Sequence, residues 1–261
     1  KRVGGLKRQV ASGVTSRSSD GKTPAEQLKM IRHEATLMLK EQSAVYSQQL
    51  KPALDKQGVS LLSWKQLQKE EKDRARQYYL KNIFPVLTPL SVDPGHPFPF
   101  ISNLSLSLAV TLRPPESDER HFARLKIPQA LPQWICVSAT GSHPQRFVSL
   151  LEIIKENLSD LFPSMHVSHV MPFRLTRNAD ISRDEEDAED LLSLIEEELK
   201  MRRFAEVVRL EHGPHPDPGI LQFLMEELEL HDEDIYLVPE SFEYLDWYGQ
   251  MPNCQMQTAH E

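Results

Sequence analysis

Cysteine is nearly absent from this 261-residue chain, which has only Cys136 and Cys254. Two thiols so far apart exclude a disulfide framework or a Cys-rich zinc site, and they fit a reducing compartment. Long apolar runs are missing too. Nothing approaches the ~18 consecutive apolar residues that a membrane span needs. Lys1-Arg2 is basic, but neither an apolar stretch nor a cleavage site follows, so no secretory leader is read. There is no initiator Met, and the first residues read as the inside of a helix, so the chain is expected to be a piece of something longer. What remains is a globular composition, 39% hydrophobic and 26% charged, long enough for one large domain or two small ones.

The net charge of −8 conceals an uneven distribution. Residues 1–90 carry 17 Lys/Arg against 8 Asp/Glu, and residues 91–261 carry 13 against 30. A block of +9 joined to one of −17 suggests two units, the first either suited to a polyanion or, the reading that charge alone favours, simply carrying solvated lysines on long helices.

The segment KRVGGLKRQV reads as a helix tail broken at Gly4-Gly5, followed by a polar loop over 12–24. Thr23-Pro24-Ala25-Glu26 is a helix start: Thr23 caps, Pro24 takes the first helical position and Glu26 reaches back. The apolar stripe Leu28, Ile31, Ala35, Met38 or Leu39, and Gln42 or Val45 carries this helix to Lys51. After a short extended link at 59–61, a second helix is expected over 63–82. Five prolines between Pro85 and Pro99 then make an ordered, extended connector over 83–103, anchored by Phe84, Phe98 and Phe100. From Leu104 to Leu112 the period becomes two, the mark of a half-buried antiparallel strand. Further strands are expected at 122–127, 134–137, 147–149, 166–174, 206–211 and 235–238. Helices are expected at 150–162, 184–203 and 218–228, the second with a capping box of Ser182 and Glu185. The fold class is therefore α+β: an N-terminal α-helical hairpin or bundle (1–82), then an α+β domain (104–261) whose mainly antiparallel sheet is covered by helices.

No catalytic centre can be read. Ser16–Thr23 nearly matches a phosphate-cradling loop, but its first glycine is Ser16 and no strand precedes it. Arg17, Lys22 and the amides at the Thr23 helix start remain candidates for touching a phosphate chain. His166 and His169 fall on opposite faces of a strand and cannot share a metal. His212 and His215 sit in a Gly/Pro-rich loop without a third ligand. Cys136 reads as a small core residue, and Asp184–Asp187 as a solvated helix start. Basic clusters occur at Lys1/Arg2/Lys7/Arg8, at Arg174/Arg177 and at Arg202/Arg203/Arg209. Arg174 and Arg177, where a strand exits toward a helix, form a candidate anion seat. Nucleic acid is not expected as a partner, because the basic stretches lack interleaved aromatics.

FPVLTPLSVDPGHPFPFISNLSLSLAV (84–110) closely resembles the bacterial polyphosphate kinases of the first family, where their helical N-terminal domain passes into the head domain. Residues 2–28, 173–211 and 224–247 resemble further segments of that family in the same order. The resemblance implies reversible transfer of the ATP γ-phosphate to inorganic polyphosphate, through a phosphohistidine and with Mg²⁺. ATP/ADP and polyphosphate would be partners, as would C-terminal catalytic domains missing here and a second copy met through the head domain. It implies a cytoplasmic protein, free or peripherally bound at a membrane. No histidine here matches the family's catalytic motif, so no catalytic or metal residue is assigned. Lys7, Arg8, Arg17, Lys22, Arg174 and Arg177 are the polyanion-facing candidates, and the fragment alone is expected to be inactive. The alternative is a stand-alone polyanion-binding or assembly module.

Overall fold

The computed structural model describes residues 1–92, 98–117, 119–139, 141–178 and 205–239. The helix expected over 184–203, its Ser182 cap and the run Asp184–Asp187 lie outside the described residues, as do Arg202, Arg203 and Cys254.

Helix α1 (Arg2–Ala11) runs unbroken through Gly4-Gly5. Gly4 serves close approach: a Cβ there would stand 2.2 Å from the Asn178 side chain. Helix α2 (Pro24–Val45) begins as expected. Thr23 N donates to Glu26 Oε2 at 2.8 Å, and Glu26 N donates to Thr23 Oγ1 at 3.3 Å. Its buried stripe keeps Leu39 of the expected one, with Leu28, Ile31 and Ala35 half-buried, and departs from it at Gln27 and Ser43. Leu39 and Ser43 face inward, while Met38 and Val45 are 67% and 49% exposed. A π turn (Tyr46–Leu50) leads into α3 (Lys51–Lys56), so the helix passes Pro52 and ends only at Gly58, whose φ is +78°.

Residues 59–61, expected as a short extended link, belong to strand β1 (Val59–Leu62). The helix expected from 63 begins later. A 3-10 turn at Trp64–Gln66 precedes α4 (Lys69–Tyr78), because Gln68 takes the cap position, its amide donating to Glu71 Oε2 at 2.8 Å. A second π turn (Tyr79–Ile83) and a 3-10 turn (Phe84–Val86) follow. The proline-rich connector then enters a sheet as β2 (Pro89–Val92), an edge strand, where a proline without an N–H is tolerated.

Strands β3 (Leu106–Arg113), β4 (His121–Lys126), β5 (Trp134–Cys136) and β6 (Gln145–Ser149) precede α5 (Leu150–Glu156). Helix α5 stops six residues before the expected Phe162, where the Asn157 amide turns back to Ile153 O at 2.7 Å. Strands β7 (His166–Arg177) and β8 (Val207–His212), helix α6 (Pro218–Glu227) and strand β9 (Ile235–Leu237) complete the order. Six strands form one sheet in the order β2-β4-β3-β7-β8-β9, antiparallel except for β8-β9. A three-stranded sheet, β1-β6-β5, pairs β1 with β6 in parallel.

Strand β3 is buried on both faces, not one. Leu106, Leu108, Val110 and Leu112 join a core with Tyr79, Ile83, Leu125 and Phe147. Ala109, between the small residues Ser107 and Thr111, faces a second core of Ile101, Phe173, Ile220 and Leu224. Helix α6 and the segment Phe98–Ile101 supply that second cover, which a half-buried strand would lack. Among the described residues no helix is long and apolar enough to cross a membrane.

Candidate polyanion-binding surface

The basic residues singled out in the sequence occupy three settings. The first is the loop before α2. Arg17 Nη1 donates to Gly21 O at 2.5 Å and lies 3.8 Å from Glu26 Oε2. Lys22 N donates to Asp20 Oδ1 at 3.3 Å. The Ser18 hydroxyl holds the Asp20 carboxyl below its ordinary pKa, and the Thr23 amide does the same for Glu26. The start of α2 thus already carries its own carboxylate, while Arg17 stays largely exposed. Arg8 lies on the exposed side of α1.

The second setting is the seam between the N-terminal helices and the end of the large sheet. Lys7 Nζ is 2.8 Å from Asp234 Oδ2 and 3.8 Å from Glu206 Oε1. Arg32 donates to Asp232 O at 2.7 Å, and its guanidinium stands 5.3 Å from the Tyr236 ring centroid. Arg209 approaches the same ring at 4.5 Å and also pairs with Glu211. Arg174 completes the network through Nε and Nη2, at 2.8 and 3.2 Å from the Glu211 carboxylate. Burial raises the Tyr236 phenol pKa against the pull of Arg209 and Arg32. Cations and carboxylates here are nearly matched, so the seam works first as an ion-pair network that clamps α1 and α2 to β8 and β9.

Arg177 belongs to a third setting. Strand β7 extends to it, so Arg174 sits inside the strand and not at its exit. Arg177 donates to Ile101 O at 3.0 Å and to Ala205 O at 2.7 Å, with Phe100 beneath its guanidinium at 4.7 Å. Sequence reading missed two arginines: Arg32, in the seam, and Arg124, which is buried near Phe100. Arg124 carries a detectable signal, a charge between Ala123 and Leu125 in a strand.

The histidines are placed separately. His212 ends β8, buried, with Nδ1 2.8 Å from Gly213 O, and so does not belong to the surface loop expected for it. His169 Nε2 lies 3.4 Å from Asp217 Oδ2. Cys136 is half-buried against the first core. Among the described residues no three His, Cys, Asp or Glu gather to hold a metal ion.

Two family profiles match the chain in succession: the polyphosphate kinase N-terminal domain over residues 1–62, and the polyphosphate kinase middle domain over 70–248. Among curated proteins, it is 43% identical over 239 residues to the polyphosphate kinase of Thermosynechococcus vestitus, covering 90% of this chain and 33% of that protein. It is 41% identical over 244 residues to that of Mycobacterium ulcerans, covering 91% and 33%. The fold is shared with the crystal structure of polyphosphate kinase from Porphyromonas gingivalis, at a TM-score of 0.70 and 18% identity over 93% of this chain and 33% of that one. The chain thus spans about a third of the length of the relatives it matches. By these matches it belongs to the polyphosphate kinase family.

Proposed function

We propose that this chain is the substrate-facing and assembly portion of an ATP:polyphosphate phosphotransferase. In the whole enzyme, the ATP γ-phosphate passes reversibly to inorganic polyphosphate through a phosphohistidine, with Mg²⁺, on domains beyond the stretch matched here. The observation that supports this reading is the succession of two domain matches from the same family, over 1–62 and 70–248. The basic block of residues 1–90 supports a role next to phosphate chains.

Labour is divided along the chain. The helical part to residue 82 faces nucleotide and polyphosphate, residues 83–103 connect, and the head from 104 onward supplies contacts to a second copy. Of the candidate cations, Arg8 and Arg17 lie exposed, and with Lys22 they are proposed to attract a chain over distance. Lys7 acts indirectly by fixing α1 against the end of the sheet, Arg174 by tying β7 to Glu211 of β8, and Arg177 serves at the end of β7. The described residues bring together no ligand set for Mg²⁺. ATP and the metal would be met here only as groups held against a wall.

Two measurements test this. The 261-residue chain is expected to show no ATP-dependent lengthening of polyphosphate, and turnover by it would refute the division of labour. Reversing Arg8, Arg17 and Lys22 to Glu should weaken polyphosphate binding and flatten its dependence on salt, as expected when cations that release counterions are lost. Unchanged affinity and slope would remove these residues from the polyphosphate path.

A further inference from the structure

Arg124 is 4% exposed, yet its guanidinium is poorly satisfied. Nε reaches Ser107 Oγ at 3.3 Å and Nη1 reaches Phe100 O at 3.2 Å, both long contacts to neutral acceptors. Nη2 is shut off from solvent without any partner. Arg177 grips the next carbonyl, Ile101 O, and Ala205 O. Among the described residues neither guanidinium meets a carboxylate, unlike Arg174 and Arg146, which each hold one. Burial lowers the pKa of both. Leaving a buried charge uncompensated is costly, and replacing it by a well-packed apolar residue is often neutral or stabilising.

We infer that Arg124 and Arg177, which donate to the successive carbonyls of Phe100 and Ile101, form a seat for a phosphate-type oxyanion. Planar guanidinium forks match tetrahedral oxyanions, and two of them supply the charge that a dianion balances. The choice of phosphate among oxyanions rests on the function proposed above; the uncompensated pair does not. Segment Phe98–Ile101 covers the seat: Phe98 packs on Phe122, two residues from Arg124 in β4, at a ring separation of 6.1 Å. Entry therefore requires that segment to shift.

Thermal unfolding of the 261-residue chain in orthophosphate, in polyphosphate and in chloride at matched ionic strength tests the seat. At tenfold over its dissociation constant, the anion is expected to raise Tm by roughly 3–6 °C. Arg124→Met should lose that rise while melting in chloride at or above the wild-type temperature. Arg177→Gln should reduce the rise. A rise with orthophosphate identifies a single phosphate as sufficient, and a rise with polyphosphate alone identifies the chain. No rise in the wild type, or an equal rise in both variants, overturns the inference, and so does an Arg124→Met protein that melts lower in chloride. If Arg124→Met does not fold, the wild type and Arg177→Gln decide. The seat and the N-terminal cations fail separately: the rise in orthophosphate should survive reversal of Arg8, Arg17 and Lys22.

Discussion

Replacing Gly4 by alanine sets two effects of opposite sign against each other. Inside a helix, alanine is favoured over glycine by about 1 kcal/mol, because glycine loses more backbone freedom on folding. Gly4 is buried in α1, however, and a Cβ there would lie 2.2 Å from Cγ and Oδ1 of Asn178 and 2.3 Å from its Nδ2. Either the amide must leave or α1 must retreat from the end of β7 by more than 1 Å. Overpacking of this kind costs about 1–3 kcal/mol. Overlap with three atoms of one planar group puts the cost near the top of that range. The expected net loss is about 1–2 kcal/mol, or roughly 2–8 °C in Tm. A double-mutant cycle read by urea unfolding isolates the cause. In an Asn178→Ala background the obstacle is gone, and Gly4→Ala should become neutral or stabilising. Stabilisation by Gly4→Ala alone, or a coupling below about 0.5 kcal/mol, would refute the claim that this glycine is there for contact and not for flexibility.

Other substitutions test the packing elsewhere. Tyr79 is fully buried, its hydroxyl donating to Asn157 O at 3.2 Å, and burial raises its pKa from 10.0 to about 12. The folded state keeps this proton where the unfolded chain loses it, so stability is full below pH 10 and falls by about 2–3 kcal/mol between pH 10 and 12. Tyr79→Phe should remove that part of the alkaline slope in pH-dependent melts. Glu71, on α4, meets Arg146 of β6 at 2.6 and 3.3 Å and also caps its own helix. Glu71→Ala should therefore cost about 2–4 kcal/mol in chemical denaturation. Glu26 titrates below its ordinary 4.5, so its contribution to the cap is complete above that value and disappears as pH falls through the lowered one. NMR titration should find the Glu26 pKa higher in Thr23→Ala than in the wild type yet still below its ordinary value, because the substitution removes the hydroxyl and keeps the backbone amide.

Local chemistry was legible in the sequence. The Thr23–Glu26 box needs only four consecutive residues, and the alternation from Leu104 to Leu112 announces a strand whatever it packs on. Contacts set by register were not. Arg174 looks like a free cation until β7 and β8 are aligned, which puts Glu211 directly across from it. Gly4-Gly5 reads as a helix breaker because nothing nearby in sequence says that Asn178 will press against it. The second burial of β3 was hidden for a related reason. Ser107, Ala109 and Thr111 have the polarity of an outer face, and only the arrival of α6 and Ile101 makes them interior. Arg124 escaped notice because a single charge in a strand usually points to water.

The pairing of Val59–Leu62 with Gln145–Val148 has a practical consequence. Cutting the chain between the two family-matched stretches, at residues 63–69, would not release two self-sufficient halves. The larger half would present a bare row of amides and carbonyls along β6, together with the hole left by Leu61. An edge of that kind invites a neighbouring molecule to complete it, and precipitation is the usual result.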